Sequence, residues 1–191
     1  MKRILLIAVM TLAAATAFAQ PKFAHVKFSE LIQLSPDADQ ARAKIQTAQN
    51  EAQETFKAMY EEYQGKAQQY QQKSASWTPA IKESKERELQ DMQQRLQEFD
   101  QNVQQELQQQ QQQLMAPIYQ KVTEIVSKLA KEGKYIYVFD VTSVAYIDDT
   151  QSVDLTPAAR TALNIPEGRT LESLQKEIQG QQAATQAQAT K

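Results

Sequence analysis

The sequence predicts a mainly α-helical protein with a small β body, in which a long antiparallel helical hairpin is inserted into a few-stranded sheet. Three observations predict it. Residues 36–133 are rich in Gln, Glu, Lys and Ala, the better helix formers. The segments on either side, FAHVKF and YIYVFDVTSVAYID, return to β-branched and aromatic residues, the composition of strands. The helical zone is broken once, at Ser74–Pro79, midway between Pro36 and Pro117.

The first nineteen residues stand apart. Lys2 and Arg3 precede an apolar run from Ile4 to Leu12, and small residues lead to Ala17-Phe18-Ala19. This is the pattern of a cleaved secretory signal, and the run is too short for a membrane anchor. Export and a soluble mature chain starting near Gln20 are expected. Without Lys2 and Arg3 the chain holds 19 basic and 23 acidic residues, a balance that argues against a nucleic-acid binder. There is no cysteine, hence no disulfide, thiol chemistry or lipid-modified N-terminus. No other stretch approaches the length of a transmembrane helix, so no stable membrane insertion is expected.

Residues 20–35 form the first piece of the body. Phe23, His25 and Lys27 alternate with Ala24, Val26 and Phe28, which reads as a short strand leading to a turn at Ser35-Pro36. The hairpin occupies residues 36–117. Ile45, Ala48, Ala52, Phe56, Met59, Tyr63, Ala67 and Tyr70 recur at helical spacing, and so do Leu89, Met92, Leu96, Phe99, Val103, Leu107 and Leu114. Thr78 before Pro79 is an N-cap with proline in the first turn. Pro36 lies 41 residues before Trp77 and Pro117 lies 40 after it, so the limbs match in length. Each would reach roughly 60 Å. A chain that returns to its starting point lets the strand before the hairpin pair with strands after it.

Residues 118–165 complete the body. Ile118, Val122, Ile125, Val126 and Leu129 continue the helical pattern past Pro117, which is read as a hinge. Gly133 stops the helix. Tyr135–Val141 reads as a strand, Ala145-Tyr146-Ile147 as another, and Asp148-Asp149-Thr150 as a turn. Asp154-Leu155-Thr156-Pro157 opens a short helix over residues 158–163. Residues 166–191 are Gln- and Ala-rich and read as largely flexible, with a marginal helix at 171–178.

The body is small for an independent core, and its short strands leave edges that need covering. Self-association through Phe23, Val26, Phe28, Tyr135, Tyr137, Val138, Phe139, Val144 and Tyr146 would cover them in a closed ring. The limbs carry thin stripes with soft or amphipathic residues, Met59, Tyr60, Tyr63, Tyr70, Met92, Phe99 and Met115, suited to packing between limbs or to apolar partners of many shapes. Trp77 either staples the tip or meets a partner.

Other residues read more plainly. His25, the single histidine, is a packed or surface residue, because one His without Cys cannot make a usual zinc set. Asp148, Asp149 and Asp154 lack the spacing of a calcium loop and read as a solvated turn. Gln104–Gln113 keeps Leu107 and Leu114 in register, so it reads as a polar helix face. No nucleophile elbow, phosphate loop or metal-ligand pair occurs, and neither an enzyme nor a cofactor is expected.

Tyr137-Val138-Phe139-Asp140, Val144-Ala145-Tyr146 and Asp154-Leu155-Thr156-Pro157, in this order behind a signal and a long hairpin, resemble the Skp (OmpH-like) periplasmic chaperones over residues 20–165. The resemblance implies a homotrimer with a β-barrel body and three helical tentacles around a cavity. It also implies a periplasmic holdase that keeps unfolded outer-membrane β-barrel proteins from aggregating without ATP. Better-known members are basic, whereas this chain is mildly acidic. The alternative is a structural coiled-coil spacer or adaptor in an envelope complex, which should show tight Leu/Ile seams over many heptads.

Overall fold

The computed structural model describes residues 21–189, so the signal read over residues 1–19 lies outside the described residues. Three strands form one sheet: β1 (Phe23–Val26), β2 (Tyr137–Asp140) and β3 (Ser152–Asp154). Their order is β2-β1-β3, and both pairings are parallel. Phe23 stands opposite Tyr137 on one side and Ser152 on the other. Parallel neighbours need a long crossover. Here the whole arm is the crossover between β1 and β2, so the expected pairing across the hairpin is what the structure shows.

The alternation in the sequence extends through Phe28, but the strand ends at Val26 and helix α1 (Phe28–Leu34) starts one residue later. Phe28, Leu31 and Ile32 share a helical face, and Leu31, Ile32 and Leu34 are buried. The helix has no side-chain cap of its own. Its first amides are met from afar: Thr156 Oγ1 accepts from the Lys27 N–H at 3.0 Å and Asp140 Oδ1 from the Phe28 N–H at 3.4 Å.

Helix α2 (Pro36–Lys73) follows after a single residue. Ser35 caps it, accepting from the Ala38 N–H at 3.2 Å while its own hydroxyl donates to the Ile32 carbonyl. A 3₁₀ turn at Ser74–Ser76 reverses the chain, and Thr78 caps α3 (Pro79–Gly133) with Pro79 in its first turn, as expected. Helix α3 runs continuously through Pro117, where the missing N–H leaves the Gln113 carbonyl without its helical donor. At its far end the left-handed residue is Lys134 (φ 56°), one position past Gly133. Gly133 instead leaves room for a neighbouring ring. A Cβ there would sit 2.1 Å from Cε2 of Tyr135, whose ring folds back over the helix end.

The segment Ala145-Tyr146-Ile147, expected to be a strand, is irregular, and Tyr146 is 81% exposed. The third strand is instead the more polar Ser152–Asp154, which no alternation announced. Helix α4 (Thr156–Ala162) opens where expected, with Asp154 Oδ1 accepting from the Thr156 N–H at 2.8 Å.

The tail departs most from expectation. Helix α5 spans Leu171–Ala189, well beyond the marginal helix read at 171–178, and its first turns dock on the base. Leu174 is buried and Ile178 packs against the core. Arg169, just ahead of α5, forms a two-pronged bond with the Asp39 carboxylate of α2. Burial pushes the Asp39 carboxyl up, but the Arg169 and Arg42 guanidiniums outweigh it and hold it below the usual carboxylate range. The docking contribution is therefore present above about pH 3.8 and fades as the pH falls below that value. Arg169→Ala is expected to release α5, read as faster amide exchange over residues 171–178 with the arm unchanged.

One core joins these elements at the root of the arm. Val26, Leu31, Ile32, Leu34, Ala38 and Ala41 pack against Ile118, Val122 and Val126 of α3, and Ala159, Leu163, Ile165 and Leu174 close the far side. Arg160 locks the arrangement with a 2.7 Å bond to Glu30 of α1.

Candidate functional site

Two surfaces hold the residues singled out from sequence, the arm and the sheet. The arm is sparsely packed. Between Arg42 and Pro117, Met92 is the only buried side chain. Met92 thus fills the seam between the limbs and is withdrawn from the set of contact candidates, because a side chain packed between two helices has no free face. Met115 is likewise turned to the core at the root. Met59, Tyr63, Tyr70, Trp77 and Phe99 are half-buried, and Tyr60 is exposed.

The aromatics of the middle of the arm are not scattered. Phe99 lies 6.5 Å from Phe56 across the limbs, Phe56 stacks 6.3 Å from Tyr60, and Tyr60 lies 6.5 Å from Tyr63. Phe56 was in the apolar stripe but absent from the contact set, which favoured soft Met and Tyr side chains. Its spacing four residues before Tyr60 was the available signal. Ile81 near the tip and Tyr119 at the root are also exposed.

The tip is tied more firmly than the middle. Trp77 meets Tyr70 edge-on at 5.7 Å, so it staples the turn. The Tyr70 hydroxyl donates to Glu86, and that bond raises its pKa. Lys66 of α2 reaches Glu88 of α3, with Lys85 adding a 2.7 Å bond to the same carboxylate. The bonds from Lys66 and Lys85 lower the Glu88 pKa from 4.5 to about 2. A carboxylate depressed in the folded state stabilises above its unfolded value and loses that contribution on acidification. Limb pairing at the tip is therefore expected to loosen from about pH 4.5 down through about pH 2. Glu88→Gln should flatten this window, with proteolysis near Trp77 as the readout.

On the sheet, His25 is buried in the central strand and its Nδ1 lies 2.9 Å from Ser152 Oγ, a packed histidine paired with the neighbouring strand. Asp148 accepts from the Thr150 hydroxyl and N–H, which lower its pKa and close the turn locally. The residues proposed for self-association divide. Val26 belongs to the core of its own chain, and Val138 and Phe28 pack against that core. Phe23, Tyr135 and Val144 are half-buried. Tyr137 (60% exposed), Phe139 (41%) and Tyr146 stand free, joined by Ile136 and Val153, which sequence reasoning missed. Phe23, Tyr137 and Phe139 form a ring cluster, with neighbouring centroids 6.4 Å and 5.9 Å apart. The outer edges of β2 and β3 pair with no strand among the described residues.

No helix among the described residues is long and apolar enough to cross a membrane. Fold and surface together define a class: a two-limbed helical arm rooted in a small parallel sheet, with exposed aromatic side chains on both parts. A family model for outer membrane protein (OmpH-like) matches residues 22–163, and the chain belongs to this OmpH-like family. A crystal structure from Caulobacter crescentus CB15, of a candidate OmpH-like outer membrane chaperone, superposes with a TM-score of 0.69. That match has 17% identity and covers 76% of this chain and 85% of the other, so the two share a fold. No curated protein matches the chain.

Proposed function

We propose that the protein is a non-enzymatic, ATP-independent periplasmic holdase. It binds unfolded outer-membrane β-barrel proteins between helical arms and prevents their aggregation. The carrying observation is the arm, two limbs in which Met92 alone is buried between Arg42 and Pro117 while aromatic rings remain accessible. Such limbs bury little surface against each other, so they yield easily and offer many weak apolar contacts. Weak contacts held in number retain a chain without fixing its shape. Family membership supports the chaperone reading, and the signal pattern read at the N-terminus supports export.

Self-association belongs to the same proposal. Free edges on β2 and β3, beside exposed Tyr137, Phe139 and Tyr146, favour a homotrimer whose sheets close into one barrel and whose arms enclose a cavity. Pro117, at the junction of arm and base, is the hinge about which each arm adjusts. A rigid spacer would need a continuous buried seam, and the arm lacks one. The test is aggregation of an unfolded outer-membrane β-barrel protein on dilution from denaturant, followed by light scattering. Mature protein in modest excess should suppress it without nucleotide; undiminished scattering would refute the holdase reading.

A further inference from the structure

The rings on the arm form a ladder with a regular step. Phe99, Phe56, Tyr60 and Tyr63 follow one another at 6.5, 6.3 and 6.5 Å. Same-face residues of an extended strand recur at about 6.6–6.8 Å, two residues at a time. A helix surface rarely matches a strand; here the distances between neighbouring rings, one pair stacked and two tilted, come close to that repeat. An extended chain laid on the ladder can set every second side chain against a ring.

The ladder runs into a groove. Phe99 also lines a cavity of about 310 Å³ between the limbs, together with Ala52, Val103, Leu107, Glu51 and Glu106. Neither carboxylate has a hydrogen-bond or ion-pair partner among the described residues. Gln110, also on this groove, has a buried Oε1 that accepts no hydrogen bond. Both carboxylates and the buried Gln110 oxygen are acceptors. The surrounding arm has the same sign, since residues 45–64 and 90–110 carry eight carboxylates against only Lys57 and Arg95. A cationic side chain would satisfy these acceptors, and its stem would cover the apolar lining. Lys or Arg beside the rings gains further from the π faces.

We propose that ladder and groove form one binding track for an extended segment in which apolar residues alternate with basic ones. The track deepens the holdase reading and rests on it, because it names the client segments the arm prefers. Apolar side chains take the rings, and lysine or arginine takes Glu51 and Glu106.

Fluorescence anisotropy of short labelled peptides with the full mature protein tests the proposal. One peptide alternates Val/Tyr with Lys/Thr, a second replaces Lys by Glu, and a third keeps the first composition but gathers its apolar residues in one block. The basic alternating peptide should bind at least about tenfold tighter than either other peptide. Glu51→Gln with Glu106→Gln should erase the preference over the acidic peptide, and Tyr60→Ala should weaken the basic peptide while leaving helicity unchanged. Equal affinity for basic and acidic peptides, equal affinity for the block peptide, or indifference to the carboxylate exchange would overturn the track. If aggregation suppression persists in that event, the holdase reading stands and only the track falls. If the peptides discriminate while suppression fails, the track stands and the holdase reading falls.

Discussion

Tyr137→Asp combined with Phe139→Asp is expected to reduce the proposed trimer to single chains. The two residues lie two apart on β2 and so share one face of the sheet, while Val138 between them packs against the core. Both rings are substantially exposed in the single chain. Burying an aromatic or large aliphatic side chain contributes roughly 1.5–3 kcal/mol, so two rings per contact amount to about 3–6 kcal/mol. Carboxylates in their place would also have to be desolvated without partners. The association constant should fall by about a thousandfold or more. Light scattering or sedimentation of the mature double variant gives the mass directly, and circular dichroism should show the helices retained. A variant that keeps the wild-type mass would place the interface elsewhere.

The second large effect is expected at the root. Leu31 is fully buried in α1 and belongs to the same core as Leu34 and as Val122 of α3. Leu31→Ala removes its packing and leaves a cavity, at a cost of about 3 kcal/mol. The base is small and its total stability is on the order of 5–15 kcal/mol at most. Thermal unfolding followed by circular dichroism should show the main transition shifted down by several degrees and broadened. An unchanged midpoint would mean that α1 contributes little to the core.

The hairpin was legible because its signals are local. Ser35-Pro36 and Thr78-Pro79 each put a hydroxyl cap before a proline, and both caps form. The features that escaped are those created by distant partners. Helix α1 has a readable Phe28, Leu31, Ile32 face, but its first amides are met by Asp140 and Thr156, more than a hundred residues away. Strand β3 exists because β1 offers an edge to Ser152–Asp154; Ala145-Tyr146-Ile147 has strand composition and no such edge. The tail looked flexible by composition, yet Arg169 finds Asp39 and Leu174 finds the core. On the arm, helical spacing identified the apolar stripe correctly. Which members face the seam, as Met92 does, and which stay exposed, as Phe56 does, depended on how the two limbs are rotated toward each other.

The order of the strands carries a consequence for how the chain reaches this state. The middle strand is synthesised first, while its two neighbours come last, beyond the full length of both limbs. Each limb can coil from contacts a few residues apart, but the sheet requires closure of a very long loop. Maturation should thus proceed in two kinetic phases, rapid gain of helix followed by slower knitting of the root. Until residues 152–154 emerge, Phe23, Ala24 and His25 lack their second strand partner, and one side of the middle strand stays open on the nascent chain.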